Sequence, residues 1–202
     1  VYNAKKTLVS CLSSINNQIL KSDLSIEVII IIDDGKNYEN IIPKMKSGIQ
    51  VKVLKTKGIK TGPGNARNIG IKKARGKYIG FLDADDEWSQ NYLEDMYNLV
   101  KKYDLAFAPT RIYRNEELVD EFRGYDKDNI NITDIGEVPC SFHPFVKREK
   151  QGEFWNKRSQ DVYNTANLIN KTNKKVKMVN EGYYKLNLQD KSVTKEGGFS
   201  HK

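Results

Sequence analysis

Cysteine and histidine are scarce in this 202-residue chain: two cysteines, Cys11 and Cys140, and two histidines, His143 and His201. The four are scattered, with no CxxC pair and no Cys/His cluster, so the spacing of a structural zinc site is missing. Both thiols are expected to be reduced and partly buried, and each histidine to be incidental rather than a metal ligand. Long apolar runs are lacking too. The longest purely aliphatic stretch, Val28 to Ile32, falls far short of the ~20 residues that a membrane-spanning helix needs. The opening Val1-Tyr2-Asn3-Ala4-Lys5-Lys6 does not pair a basic region with a following apolar one, so no secretory signal is read. A cytoplasmic location is expected, with peripheral attachment to the inner face of a membrane left open.

No single sign of charge dominates any stretch. The net charge of +8 comes from 34 Lys+Arg against 26 Asp+Glu. It raises nucleic acid, an anionic membrane or an anionic substrate as partners. The lysines are spread along the chain, however, with only mild clusters at 147–150 and 171–177, and solvated surface is the simpler reading.

What is present is an alternation. Leu8, Leu12, Ile15 and Ile19 share one face of a helix expected over 5–19, with Asn3 as its N-cap. The β-branched run 26–32 suits a parallel strand covered on both faces. A short helix is expected around Tyr38, Ile41, Ile42 and Met45. Strands are expected at 51–54, 77–82 and 105–108, and helices at 65–74 and after Ser89, which is read as a cap. That rhythm is an α/β parallel sheet with right-handed crossovers. Beyond residue 110 it breaks. Residues 111–122 read as hairpin-like strands, 126–139 as a loop, 160–171 as a helix, 176–188 as strand-like and 189–202 as a polar tail. One domain over 1–202 is expected, its second half forming the other wall of a cleft.

Two strands end in carboxylates, at Asp33-Asp34 and at Asp83-Ala84-Asp85-Asp86. Ligands of open parallel sheets bind at the carboxyl ends of strands, so both clusters should face one crevice. Like charges held together are costly unless a cation or donor neutralises them. Asp-x-Asp on an extended segment can aim two carboxylates one way, which suits Mg²⁺ or Mn²⁺ shared with phosphate oxygens. A solvated acidic loop is the rival reading. Gly62-Pro63-Gly64-Asn65-Ala66-Arg67-Asn68-Ile69-Gly70 lies between these strands. Its glycines permit close backbone approach, and a helix start there offers N–H groups to an anion. Arg67 either grips a phosphate or pairs with an acid cluster. The segment matches neither a Walker loop nor a dinucleotide fingerprint.

Taken in order, Tyr2-Asn3-Ala4, Asp33-Asp34-Gly35, Gly64-Asn65-Ala66-Arg67-Asn68-x-Gly70 and Gly76-x-Tyr78-Ile79-x-Phe81-Leu82-Asp83-Ala84-Asp85-Asp86 resemble family 2 glycosyltransferases of the GT-A fold. The resemblance is dense over residues 1–100 and thin beyond. It implies an α/β GT-A nucleotide-diphospho-sugar transferase fold, a mainly parallel central sheet flanked by helices. Residues 1–108 would bind the nucleotide sugar and 109–202 the acceptor. By resemblance Tyr2, Asn3, Asp33, Asp34, Arg67 and Asp83 contact the nucleotide. Asp33 or Asp34 would take the base, Asp83 would lie nearer the ribose, and Asp85, with Asp83, would hold Mn²⁺ or Mg²⁺ on the diphosphate.

The family's inverting members use a carboxylate base at the start of a later helix, often in a Glu-Asp pair. Gln160-Asp161 matches, with Asp161 as base and Gln160 departing from the common Glu. An acid at a helix start also suits the dipole without any catalytic task. Asn187, in Tyr184-Lys185-Leu186-Asn187, stands where a His is frequent. The strand with which the family usually begins, ahead of the Tyr-Asn element, is missing from this sequence. The implied activity is inverting transfer from a nucleotide-diphospho-sugar, UDP-linked by resemblance, to a glycan or lipid-linked acceptor. Trp155, Tyr163 or Trp88 would either stack on a sugar or belong to the core. No nucleic-acid partner is expected, and a homodimer is left open. The alternatives are a nucleotidyltransferase of related fold and a basic nucleic-acid-binding module, whose phosphates the acid-ended strands would repel.

Overall fold

The computed structural model describes residues 1–123, 143–157, 159–172 and 176–188. The loop expected over 126–139, the tail 189–202, Cys140 and His201 lie outside the described residues.

Helix α1 (Leu8–Asn16) presents Leu8, Leu12 and Ile15 to strand β1 (Ile26–Ile32). Ala4, Ile30, Ile32 and Tyr38 complete that buried cluster. Each fully buried aliphatic side chain contributes roughly 1.5–3 kcal/mol, which is why this face decides where the helix sits. The helix is shorter than its pattern. It ends at Asn16, leaving Ile19 half exposed, and its N-cap is Thr7, not Asn3. Asn3 instead has φ +53° and sends its amide to Asp34. The helix expected near Tyr38–Met45 is only a 3₁₀ turn, Glu39–Ile41.

Strand β1 pairs in parallel with β2 (Ile49–Lys55), from Ile26 opposite Ile49 to Ile32 opposite Lys55. After β2 come α2 (Pro63–Lys73), β3 (Tyr78–Ile79), β4 (Glu87–Trp88) and α3 (Tyr92–Val100). Asn91, not Ser89, is the N-cap of α3; the Ser89 hydroxyl instead accepts the Tyr183 amide at 2.9 Å. Then follow β5 (Leu105–Phe107), β6 (Thr110–Arg114), β7 (Glu117–Phe122), β8 (Phe145–Lys147), α4 (Gln160–Lys171), β9 (Lys177–Met178) and β10 (Tyr184–Asn187). The hairpin expectation holds for β6–β7. Its two connecting residues, Asn115 and Glu116, both have positive φ, as a tight hairpin turn requires.

Three sheets form, in the orders β1-β2, β4-β10-β6-β7 and β3-β8-β5-β9. Pairing is parallel for β1–β2, β6–β10 and β5–β9, and antiparallel for β3–β8, β5–β8, β4–β10 and β6–β7. The expected mainly parallel sheet is therefore a mixed set. The physical reason is connection length: β6 and β7 are joined by two residues, with no helix to carry the chain back for parallel pairing. Strands from both halves of the chain interleave, β8 lying between β3 and β5, and β10 between β4 and β6.

A cavity of about 550 Å³ separates β1 from the segment Tyr78–Leu82. Leu12, Ile15, Ile29, Leu82, Leu93 and Tyr97 are among its walls. Val1 is part of the lining: its backbone nitrogen donates to the Ile31 carbonyl at 2.6 Å and its carbonyl accepts the Asp33 amide at 2.8 Å. That pattern is one parallel rung opposite Ile32. Of the strand expected over 77–82, only Tyr78–Ile79 is laddered.

Candidate active site

The loop after β1 and the loop before α2 are tied together through Asp33. Its carboxylate accepts the Thr61 amide at 2.9 Å, the Thr61 hydroxyl at 2.6 Å and the Gly62 amide at 3.0 Å. Burial pushes this carboxyl up, but those donors outweigh it and hold it below the usual range. Asp34 is treated alike. It accepts the Tyr38 hydroxyl at 2.6 Å and the amides of Asn3 and Lys36 at 2.9 and 3.1 Å. Its carboxyl also lies low, while burial and the Asp34 contact push the Tyr38 phenol up to about 12. Both side chains thus serve the backbone that shapes the pocket. Tyr2 stays half exposed beside them.

The second acidic loop follows Leu82. Here Arg67, projecting from the first turns of α2, meets Asp83 Oδ1 at 2.6 Å. Its guanidinium lies over the Phe154 ring, 5.3 Å from the centroid, a position that orients the fork as well as favouring its charge. His143 Nε2 stands 3.4 Å from Asp83 Oδ2. Burial pushes the Asp83 carboxyl up, yet Arg67 and then His143 hold it well below the usual range. The neighbouring Asp85 and Asp86 go the other way. Burial raises both, and the charge of Asp83 raises them further. Asp86 points into the protein, accepting the Tyr184 hydroxyl at 2.8 Å and the Asn187 amide at 2.9 Å. Asn187 also donates to the Asp85 carbonyl at 3.0 Å. Strand β10 therefore fixes the backbone of the acidic loop from behind, and Asn187 does this through its amides at a position where a His is frequent in the family.

The two loops converge at Val1. Its backbone pairs with β1 just ahead of Asp33. Asp161, in the first turn of α4, acts on Arg67 as well: burial lowers that guanidinium, and Asp83 and then Asp161 raise it. What brings α4 so close is glycine. A Cβ at Gly64 would sit 2.6 Å from Gln160 Oε1 and 2.9 Å from the Trp155 carbonyl, so only a residue without one lets the starts of α2 and α4 pack together. The residues expected from the sequence are thus brought together around Arg67 and Val1, and Asp83 has taken the ion-pair option left open for Arg67.

Among the described residues no three His, Cys, Asp or Glu side chains converge as a ready-made metal site. The donor set still fits a hard cation in one respect. Asp85 stands two residues from Asp83, whose charge raises its carboxyl further, and Mg²⁺ or Mn²⁺ takes one or two carboxylates and completes its shell with phosphate oxygens and water. The stacking candidates divide. Trp88 packs flat on Tyr92, centroids 4.6 Å apart, and belongs to the core, whereas Trp155 and Tyr163 form an exposed pair 4.9 Å apart.

Sequence reasoning missed His143, expected to be incidental. It is 7% exposed and sits at Asp83. The signal was the register of β8, legible only once β8 is paired.

Comparison with known proteins agrees with this geometry. The glycosyl transferase family 2 profile matches residues 1–176. Glycosyltransferase GlyA of Streptococcus pneumoniae is 31% identical over 117 residues, 58% of this chain and 16% of its own length. The poly(ribitol-phosphate) beta-N-acetylglucosaminyltransferase TarP of Staphylococcus aureus is 37% identical over 108 residues, 50% of this chain and 31% of its own length. The chain thus spans less than a third of either relative. The solved structure of S. aureus TarS 1-349 in complex with UDP-GlcNAc superposes with a TM-score of 0.79 at 18% identity, covering 96% of this chain and 58% of that one. That likeness fixes the fold as GT-A-like, and the profile match fixes the family: the chain belongs to glycosyl transferase family 2.

Proposed function

We propose that the chain carries the donor site and base of an inverting transferase that moves a sugar from a UDP-linked donor to a hydroxyl of a glycan or lipid-linked acceptor. The observation that carries this reading is the split of the second acidic loop. Asp83 is ionised and gripped by Arg67, while Asp85 beside it is left in need of positive charge. The UDP-GlcNAc complex of the related TarS fold supports a uridine donor. Asp33 and Asp34 shape the base pocket between Tyr2, Asn3 and Thr61, and Asp83 lies toward the ribose. A divalent ion, Mn²⁺ or Mg²⁺, would be held by Asp85 and Asp83 together with the donor's diphosphate, and when bound it supplies the charge that stabilises the leaving diphosphate.

The chain's own residues supply the rest. Asp161 takes the proton of the acceptor hydroxyl. That oxygen bonds to the anomeric carbon from the face opposite the diphosphate, the carbon–phosphate-oxygen bond breaks, and nucleoside diphosphate leaves with inversion. Arg67 is ion-paired with Asp83 and also feels the charge of Asp161, so its cation offsets both carboxylates. Replacing Asp161 by Asn is expected to leave UDP affinity unchanged and to slow transfer by roughly 10²–10⁴-fold. Wild-type turnover in that variant would remove Asp161 from the mechanism. Product analysis tests the reaction class: nucleoside diphosphate marks glycosyl transfer, pyrophosphate marks nucleotidyl transfer.

A further inference from the structure

We infer that His143 is a positioning residue for Asp83, fixing the carboxylate that meets the donor; the inference rests on the donor-site reading above. The argument begins in the sheet. β8 runs antiparallel to β3, with Tyr78 opposite Lys147 and Ile79 opposite Val146. Carried three residues further, that register brings His143 level with Leu82, the residue before Asp83. The ladder stops because Pro144 has no N–H to give. His143 is therefore delivered to the acidic loop by strand geometry rather than by chance contact.

The delivery is braced. Phe145 lies across Gly80 so closely that a Cβ there would be 2.7 Å from the ring. The same ring stacks near Tyr78, centroids 6.3 Å apart. With β8 pinned on one side by β3 and on the other by β5, the imidazole has little freedom. Tyr184 flanks it at 5.1 Å between ring centroids, and the Tyr184 hydroxyl reaches on to Asp86.

Asp83 then has a partner on each oxygen, Arg67 on Oδ1 at 2.6 Å and His143 on Oδ2 at 3.4 Å. A carboxylate held at one oxygen can still rotate about its last bond. Held at both, it presents one orientation to whatever enters from Val1's side. Nε2 is the ring nitrogen that faces Asp83 Oδ2, and an N–H there can donate to the carboxylate. His143 is buried, with its side chain 3% exposed, whereas the Asp83 side chain is 41% exposed. So the histidine acts through the aspartate and does not itself face the donor.

The test is calorimetric titration of UDP, with Mn²⁺ and with EDTA, into wild type, His143→Gln, His143→Leu, Asp83→Asn and the double variant His143→Leu/Asp83→Asn. Glutamine carries an N–H donor of similar reach, and leucine carries none. His143→Leu is expected to weaken UDP binding by roughly 10-fold, the loss of one contact to a charged group, and His143→Gln to restore it to within about threefold. In the double variant the His143→Leu effect should vanish, because a residue acting through Asp83 has nothing left to act on. Should leucine prevent folding, His143→Phe fills the same volume without a donor and takes its place. Wild-type UDP affinity in His143→Leu, alongside loss in Asp83→Asn, would overturn the inference and leave the donor site standing. Equal loss in the Gln and Leu variants, or additive effects in the double variant, would overturn it too. Unchanged affinity in Asp83→Asn would instead remove the donor-site reading on which it rests.

Discussion

Asp33-Asp34 and Asp83-Ala84-Asp85-Asp86 look alike as sequence: each is an acidic cluster closing an apolar, strand-forming run. In the folded chain they are opposites. The first pair is surrounded by N–H and O–H groups of Thr61, Gly62, Asn3, Lys36 and Tyr38, and both carboxyls lie low. In the second cluster the one guanidinium and one imidazole both go to Asp83, and Asp86 takes the Tyr184 hydroxyl and the Asn187 amide. The carboxyls of Asp85 and Asp86 lie high. A fully hydrogen-bonded carboxylate holds loops together. A carboxylate short of partners stays ready for a cation brought by a ligand. Each cluster makes a different wager on stability, and that difference can be attacked from either side.

The largest stability effect belongs to the first cluster. Asp33→Ala strands the Thr61 and Gly62 amides at a buried position, and orphaned donors cost about 1–3 kcal/mol each. The expected loss is roughly 3 kcal/mol, near 10 °C in Tm for a chain of this size. Thermal unfolding followed by circular dichroism measures it, and a change under 2 °C would mean that the loop is held by something else. Asp85→Ala should do the reverse. Its fold is expected to match wild type in melting, while Mn²⁺-dependent UDP affinity falls by roughly 100-fold. If the Asp85 variant melts like the Asp33 variant, the comparison collapses.

How much of this was legible beforehand follows the same divide. Strand β1 (Ile26–Ile32) and helix α4 (Gln160–Lys171) were readable with their bounds, because hydrophobic pattern and length suffice there. The site residues were readable as types at family spacing. Their roles were not. Nothing local distinguishes Asp33, saturated by a loop 28 residues away, from Asp85. His143 reads as an ordinary histidine until β8 is paired with β3. Leu82's run reads as strand, but only Tyr78–Ile79 of it is laddered, against β8. In each case the missing information was the partner across the sheet, which periodicity cannot name.

The smallest effect is also the sharpest, because the two clusters should bend stability with pH in opposite directions. Asp33 is depressed on folding, so above the ordinary carboxylate value of about 4 both states are ionised and the native donors stabilise the folded one in full. The stability Asp33 contributes is present above that value and fades as pH falls through its native one. Asp86 is raised, chiefly by burial and then by Asp83 and Asp85. Between about 4 and its higher native value the folded state binds the extra proton, so stability falls as pH rises. In EDTA, Asp86→Asn should therefore melt like wild type near pH 4 and a few degrees higher at pH 7–8. Asp33→Asn should melt lower at neutral pH, with the deficit closing toward acid. Melting curves from about pH 2 to 8 give two difference plots, the Asp33 deficit closing below about pH 4 and the Asp86 gain growing above it. If the plots run parallel, the donors to Asp86 outweigh its burial and the charges of Asp83 and Asp85, and the two loops do not differ.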